Sequence, residues 1–530
     1  MPDYTFDATI SRPVLENYLK RACSAAWLMR STTLKDDLRV IARLGLKFIG
    51  RAAAIWTPDP DDEEHFAAAR LLAQRVHAQD SEIILQACVF EIVYRMVDSF
   101  PVPAYVLEDF GQPVEQRCFR YDDMIFPERP RAYCGDHFPL DQPWLECSIP
   151  DLSRIEAQMW FYYRATRYID AGYEALHMGQ IHLYTANDCG MKQMDALLQK
   201  IRAYAGKHAR RHLVLMDAHS HGVSINGRLL LDYNAMPYTR AAITDRPGRR
   251  LALIREGFSE GGLNPNGWFG DAMPYLMEYD NWGGKCYSED EGLTEAQLAI
   301  KEWWGYDQIG WFANQSEENR RHFLEYTLKW TAVNNPNAYF AIPLRRTLDS
   351  AAVRMQRGDD GREDVNDYFQ LNNRSAACPM GFGGEDTISA LWTSGEFERL
   401  RALAANPENL VDYGARDLYD PETRMKLPEI VTVYGDFQHL VGAVDGDSSN
   451  ERTRMYYIGD NTYTLSVVIP FAGTYRYAVS NYGTLSATYC WDRFPRSGYA
   501  NLAQFTTDKD NQVVRFRYRF IDNCVSAEVF

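Results

Sequence analysis

Apolar runs of strand length alternate with amphipathic helical stretches from about residue 45 to 345. Ahead of them the spacing predicts a helix over 12–30, with Leu15, Leu19, Ala22, Ala26 and Met29 along one stripe. Strands are then expected at 47–56 (KFIGRAAAIW), 82–93 (EIILQACVFEIV), 175–185 (ALHMGQIHLYT) and 212–220 (HLVLMDAHS). Four more follow at 250–258 (RLALIREGF), 274–282 (PYLMEYDNW), 308–315 (QIGWFANQ) and 338–346 (AYFAIPLRR). Helices are expected at 62–79, 152–170, 191–206, 293–303 and 316–334, and residues 94–150 form a long insertion with aromatics and proline.

Near-continuous apolar strands interleaved with helices point to a parallel sheet covered on its outside. Eight of them over about 300 residues suit a closed (β/α)8 TIM-type barrel better than an open doubly wound sheet. The barrel is expected to occupy residues 1–345, including the insertion at 94–150. Residues 346–425, rich in Asp, Arg and Asn, read as a connector packed on it. Over 426–530, short β-type runs such as TYTLSVVIPF (462–471) and QVVRFRYRF (512–520) are separated by Gly-Asp and Ala-Gly turns. That pattern predicts an antiparallel β-sandwich-like domain.

Composition narrows the functional classes. Of the 530 residues 46% are apolar and 24% charged, ordinary globular values that give no expectation of disorder. The net charge of −16 disfavours both nucleic acid and an anionic membrane surface as partners. No run approaches the roughly 18 apolar residues of a spanning helix, and the N-terminus lacks a signal-peptide layout. The ten cysteines are scattered without a Cys-x-x-Cys pair, so a zinc ribbon and a thioredoxin-like motif lose support. The cytoplasm is the expected location, and a homo-oligomer is compatible with these features. No Gly-rich dinucleotide fingerprint follows the first strand, and neither a Walker-type loop nor a Gly-x-Ser-x-Gly elbow occurs. No cofactor is expected.

In a barrel enzyme the reacting groups gather at the C-terminal ends of strands. Here those ends carry Trp56, Glu91, His177 with Gln180, Asp217 with His219 and His221, Glu278 with Asp280 and Trp282, and Trp311. Period-two geometry puts Leu276, Glu278 and Asp280 on one face of their strand. Leu213, Leu215, Asp217 and His219 share another, as do Ala87, Val89 and Glu91. Each series runs from small or aliphatic residues to an acid, as a packed interior opening into a polar mouth would.

Three carboxylates on one rim can divide the work of glycoside hydrolysis. A protonated one serves the departing oxygen, and an ionised one is nucleophile or base. Glu278 is the expected nucleophile or base, with Asp217 or Glu91 as the acid. Trp56, Trp282 and Trp311 would stack on sugar rings, while His177, Gln180, His219 and Asp280 would hold the substrate. The structural alternative is that each acid is a helix cap, an ion-pair partner or a loop anchor, and that the tryptophans only pack.

The segment MDAHSHG (216–222) presents Asp217, His219 and His221 in a spacing that resembles the metal-binding strand of the amidohydrolase superfamily. That family carries its motif on the first strand and needs further histidines later, where only His322 and His439 remain. No metal ligand is therefore assigned, and a metal-dependent hydrolase stays as an alternative. Gly179, inside a strand pattern, is expected to allow a close approach or a bulge.

A barrel with acidic strand ends, aromatic rim residues and an appended β-module resembles the glycoside hydrolase (β/α)8-barrel superfamily, over residues 40–530 and at the level of architecture. The resemblance implies a glycosidase acting on an oligosaccharide or glycoside. The chain departs from the large retaining clan at strand four, where Met216-Asp217-Ala218 stands in place of an asparagine before the acid. The counterpart of that clan's strand-seven acid, Glu278, is counted here on strand six. A non-catalytic sugar-binding barrel is the reading from a different class.

Overall fold

The computed structural model describes residues 2–53, 61–127, 146–242, 252–255, 259–280, 308–347, 354–357, 362–365, 368–414, 418 and 428–530. Residues 90, 186, 189–190, 221, 238, 314, 377, 379–380, 407, 429, 460–461, 482, 484–487, 490–494, 497–501 and 521–523 are exceptions within those ranges. Two compact units are present. The first comprises Met1–Pro237, Ser259–Tyr279 and Ala313–Tyr419; the second comprises Tyr238–Phe258, Asp280–Phe312 and Asp420–Phe530.

In the first unit the main strands are β1 (Ala22–Ala25), β2 (Phe48–Ala53), β3 (Ile84–Cys88), β4 (Ala175–His177), β5 (Leu215–Asp217), β6 (Asn234–Pro237), β7 (Tyr275–Glu278), β8 (Ala338–Phe340), β9 (Ile342–Thr347) and β10 (Tyr368–Gln370). A seven-stranded sheet runs β10-β9-β1-β2-β3-β4-β5, and a three-stranded sheet runs β6-β7-β8. Every pairing is parallel except β9 with β10. A parallel bridge joins His219 to Ala235, extending β5 toward β6, and Ala341 alone separates β8 from β9.

Helices cover the connections. Leu34–Leu44 lies between β1 and β2, Asp62–Gln79 between β2 and β3, Ile155–Asp170 between β3 and β4, Lys192–His208 between β4 and β5, and Glu317–Asn334 between β7 and β8. Three of them, Asp62–Gln79, Lys192–His208 and Glu317–Asn334, start on side chains that satisfy orphan N–H groups. Asp61 accepts from the Glu64 N–H at 3.0 Å, and Asp188 from those of Gln193 and Met194 at 2.9 and 2.8 Å. Every residue of β1 to β5, β7 and β8 is buried, which is why these strands carry so few polar residues. One core cluster gathers Ala22, Phe48, Ile84, Ala175, Leu215, Ala235, Leu276 and Tyr339 from successive strands, with Leu15, Tyr18 and Leu19 of the helix Arg12–Leu19.

Several expected elements differ. The helix predicted over 12–30 stops at Leu19, and Ala22–Ala25 is a strand between β2 and β9. Its two alanines favour a helix intrinsically, and burial on both faces outweighs that preference. Strand β6 went unpredicted because Asn234 and Pro237 leave it no apolar run. The apolar stretch at 308–315 forms a helix, Gln308–Ala313, and periodicity does not separate the two forms at that length. Within 250–258, Ala252–Arg255 pairs antiparallel with Thr239–Ala242 in the second unit. The strand expected over 175–185 ends at His177, and Ile181–Tyr184 is a helical turn.

Besides the pair of Thr239–Ala242 with Ala252–Arg255, the described residues between 431 and 529 of the second unit form two antiparallel sheets. In one, Gly473–Asn481 pairs with Val431–Gly435 and Ala503–Thr507; in the other, Tyr456–Gly459, Thr462–Ile469, Gln512–Arg519 and Cys524–Val529 follow in order. Alternation decides the inner face: Val514, Phe516 and Tyr518 are buried while Arg517 and Arg519 are exposed. These residues join Val433, Phe437, Tyr477 and Phe505 in one core. Among the described residues no helix is long and apolar enough to cross a membrane.

Candidate active site

Polar side chains interrupt the apolar strands of the first unit at or beyond their midpoints. Ser24 comes from β1, Arg51 from β2, Gln86 from β3, His177 from β4, Asp217 from β5, Glu278 from β7 and Arg346 from β9. All of them are buried. Arg51 sits where the register between β2 and β3 skips from Ile49 to Ala53, and its φ is +56°. A long side chain in the left-handed region is strained, and such a bulge re-aims the residue that occupies it.

The redirected guanidinium meets Glu278. Arg51 Nε donates to both carboxylate oxygens at 3.0 Å, and its Nη2 donates to Oε1. Arg346 Nη1 donates to Oε2 at 2.6 Å and to Ser24 Oγ at 2.7 Å, and Ser24 Oγ donates to Oε2 at 3.0 Å. His219 Nε2 lies 3.0 Å from Arg51 Nη2, accepts its hydrogen, and stands 3.6 Å from Glu278 Oε1.

Gln86 couples this group to a second one. Its Oε1 accepts from the Arg51 backbone N–H at 3.0 Å and its Nε2 donates to Asp217 Oδ1 at 2.6 Å. Tyr233 donates to the same oxygen at 3.0 Å, and His177 Nδ1 donates to Asp217 Oδ2 at 2.8 Å. The His177 and His219 rings meet edge to face with centroids 4.6 Å apart. Glu91 Oε2 accepts from the Gln180 N–H at 3.1 Å. Gly179, at φ +65°, is required there because any β-carbon would overlap the Glu91 carboxylate.

The surroundings push two carboxyls in opposite directions. Burial by itself would raise Glu278, but the Arg51 and Arg346 guanidiniums hold it well below the ordinary carboxylate range. Among the described residues no cation pairs with Glu91. Burial raises it, and the backbone N–H groups, with His219 and Arg51 further off, offset only part of that rise. Burial and the Asp217 charge push the Tyr233 phenol well above its usual value, so it remains a neutral donor.

The structure thus brings Glu91, His177, Gln180, Asp217, His219 and Glu278 to one set of strand ends. Asp280 is buried and lies in the second unit. Trp311 lies on the helix Gln308–Ala313 and not at a strand end, because its apolar segment folds as a helix. Trp56, Trp282 and His221 lie outside the described residues. Sequence reasoning missed Arg51, Arg346, Ser24, Gln86 and Tyr233. A usable signal existed for the arginines, since each is a charge inside or closing an otherwise apolar strand, in FIGRAA and AIPLRR.

The first unit is a parallel α/β arrangement with a buried polar cluster at its strand ends. Against known proteins, residues 430–522 match the pullulanase X25 domain. A pullulanase from Bacillus acidopullulyticus is 25% identical over 18% of this chain and 11% of that chain, with a TM-score of 0.16. The chain therefore spans about a tenth of that enzyme's length. An isomalto-dextranase from Arthrobacter globiformis T6, complexed with panose, is 12% identical over 94% of this chain and 73% of its own, with a TM-score of 0.32. An alpha-amylase from Lactobacillus plantarum is 10% identical over 94% and 99%, also with a TM-score of 0.32. At such scores neither a shared fold nor a shared activity follows. No curated protein matches the chain.

Proposed function

We propose that this chain is a carbohydrate-active enzyme that cleaves glycosidic bonds, with Glu91 as the proton donor and Glu278 as its ionised partner. One observation carries the reading: a single cluster raises one carboxyl and depresses another, the division of labour that glycoside hydrolysis needs. The match of residues 430–522 to a pullulanase domain supports a saccharide as substrate. Both Glu278 oxygens are engaged, so its role as base or nucleophile begins when a sugar hydroxyl displaces Ser24 or Arg346 from Oε2.

The same reading takes the two parallel sheets as one closed eight-stranded barrel. The His219–Ala235 bridge, the continuity of β8 with β9 and a core cluster fed by β1 through β8 support it. The antiparallel sheets between 431 and 529, which share one core, are taken as a β-sandwich. Barrel, connector and β-module are proposed to divide at about residues 345 and 425. Cys147 is disulfide-bonded, a state that persists in oxidising compartments, so such a compartment is proposed in place of the cytoplasm.

A second reading, a non-catalytic sugar-binding barrel, is favoured by the saturation of Asp217 and Glu278, which are only 1% and 7% exposed. The metal-dependent alternative loses support because Arg51 holds the Nε2 of His219 and sets a fixed positive charge beside it.

The test is reducing-end release from pullulan and a panel of short oligosaccharides by the parent chain and by Glu278→Gln, with calorimetric binding in parallel. Turnover by the parent that is lost in the variant supports the proposal. Equal binding without turnover by both selects the non-catalytic reading, and the absence of binding and turnover in the parent overturns both.

A further inference from the structure

We infer that Asp217 is not the site's acid but a positioning residue, and that the group it positions, His177, uses Nε2 to accept a hydrogen bond from a substrate hydroxyl. The inference rests on the carbohydrate reading above and names the contact that recognises the sugar.

Both oxygens of Asp217 are committed, Oδ1 to Gln86 and Tyr233 and Oδ2 to His177 Nδ1 at 2.8 Å. With both oxygens engaged by protein donors, none is left to serve a glycosidic oxygen. What the carboxylate does is fix the imidazole. A neutral ring that donates Nδ1–H to a carboxylate presents Nε2 as an acceptor, and the carboxylate sets ring orientation and tautomer together.

That Nε2 has no hydrogen-bond partner among the described residues, although His177 is only 2% exposed. A buried acceptor without a donor costs free energy that a bound donor restores. Three residues along, Gln180 Oε1 is a second buried acceptor without a partner among the described residues. Two unfilled acceptors call for a ligand with several neutral donors, which describes the hydroxyls of a pyranose. An anionic ligand would be repelled by both lone pairs.

Full-length chain labelled with 15N-histidine tests this, with the His177 signals assigned by their loss in His177→Gln. Nε2 is expected to be unprotonated and to shift when panose or maltotriose is added. In Asp217→Asn the amide donates to Nδ1, Nε2 becomes protonated, and saccharide affinity falls about ten-fold while the circular dichroism is unchanged. A protonated Nε2 in the unliganded parent overturns the inference, and this readout does not depend on the variant folding. Saccharide binding that leaves Nε2 unmoved, or unaltered affinity in Asp217→Asn, also overturns it while leaving the carbohydrate reading intact. If neither saccharide binds the parent, the carbohydrate reading falls and this inference with it.

Discussion

Glu278 and Glu91 contribute to stability with opposite signs. Glu278 titrates below its unfolded value, so its ion pairs stabilise the fold at any pH above the ordinary carboxylate range, and that support drains away as pH falls through the depressed value. Glu278→Gln leaves Arg51 and Arg346 buried without their carboxylate. Breaking such a pair costs about 3–5 kcal/mol, so the midpoint of chemical denaturation of the variant is expected to drop markedly at pH 7. Glu91 is raised by burial, so whatever it contributes is present at low pH and lost as pH rises through its folded value. Glu91→Gln is therefore expected to be more stable than the parent at pH 7 and to converge with it under acid conditions, as followed by thermal unfolding at a series of pH values. A variant less stable than the parent at pH 7 contradicts the upward shift of Glu91. The acids were legible because each ends an apolar alternation. Their arginine partners were not, because contact between β2, β7 and β9 is set by strand order and by the bulge at Arg51, neither of which is written in local pattern.

Among the elements, β1 is the clearest departure from what the pattern announced. Ala22 lies on the predicted helical stripe, yet it belongs to a central strand and to the core shared with Phe48 and Ile84. Ala22→Leu is expected to overpack that core and to cost about 1–3 kcal/mol in chemical denaturation, whereas a residue on an amphipathic helix would tolerate it. The turn after β4 makes a second demand. Gly179→Ala is expected to lower saccharide turnover with a stability loss of more than about 1 kcal/mol, because the left-handed backbone is strained and Glu91 must move aside. Periodicity located most buried strands of the first unit, since burial on both faces writes itself as an unbroken apolar run. It missed β6, whose backbone pairing rather than its side chains makes it a strand, and it misassigned 308–313, where Ile309 and Phe312 are buried as helical residues.

At the scale of the whole molecule, the change of character near residue 426 was legible from turn residues and strict alternation, and the antiparallel sheets between 431 and 529 follow it. Phe516, at the centre of that core, touches the rings of Phe437, Tyr477 and Phe505. Phe516→Ala is expected to destabilise these sheets by about 3–5 kcal/mol, measured as loss of protection in hydrogen exchange across 431–529. Composition and charge disfavoured nucleic acid and anionic membranes but named no partner. The proposed chemistry draws on side chains far apart in sequence, Ser24, Glu91, Asp217, Glu278 and Arg346, that the fold of the first unit brings together.

The division of roles between Glu91 and Glu278 is tested most directly by leaving-group dependence. Matched glycosides with an acidic phenol or a poorly acidic alcohol as leaving group are supplied to the parent chain and to Glu91→Gln, and kcat/KM is compared. A loss of about 10²-fold or more is expected on the alcohol, which needs a proton, and little loss on the phenol, which does not. Equal losses on both, or parent-like rates on both, would contradict that division.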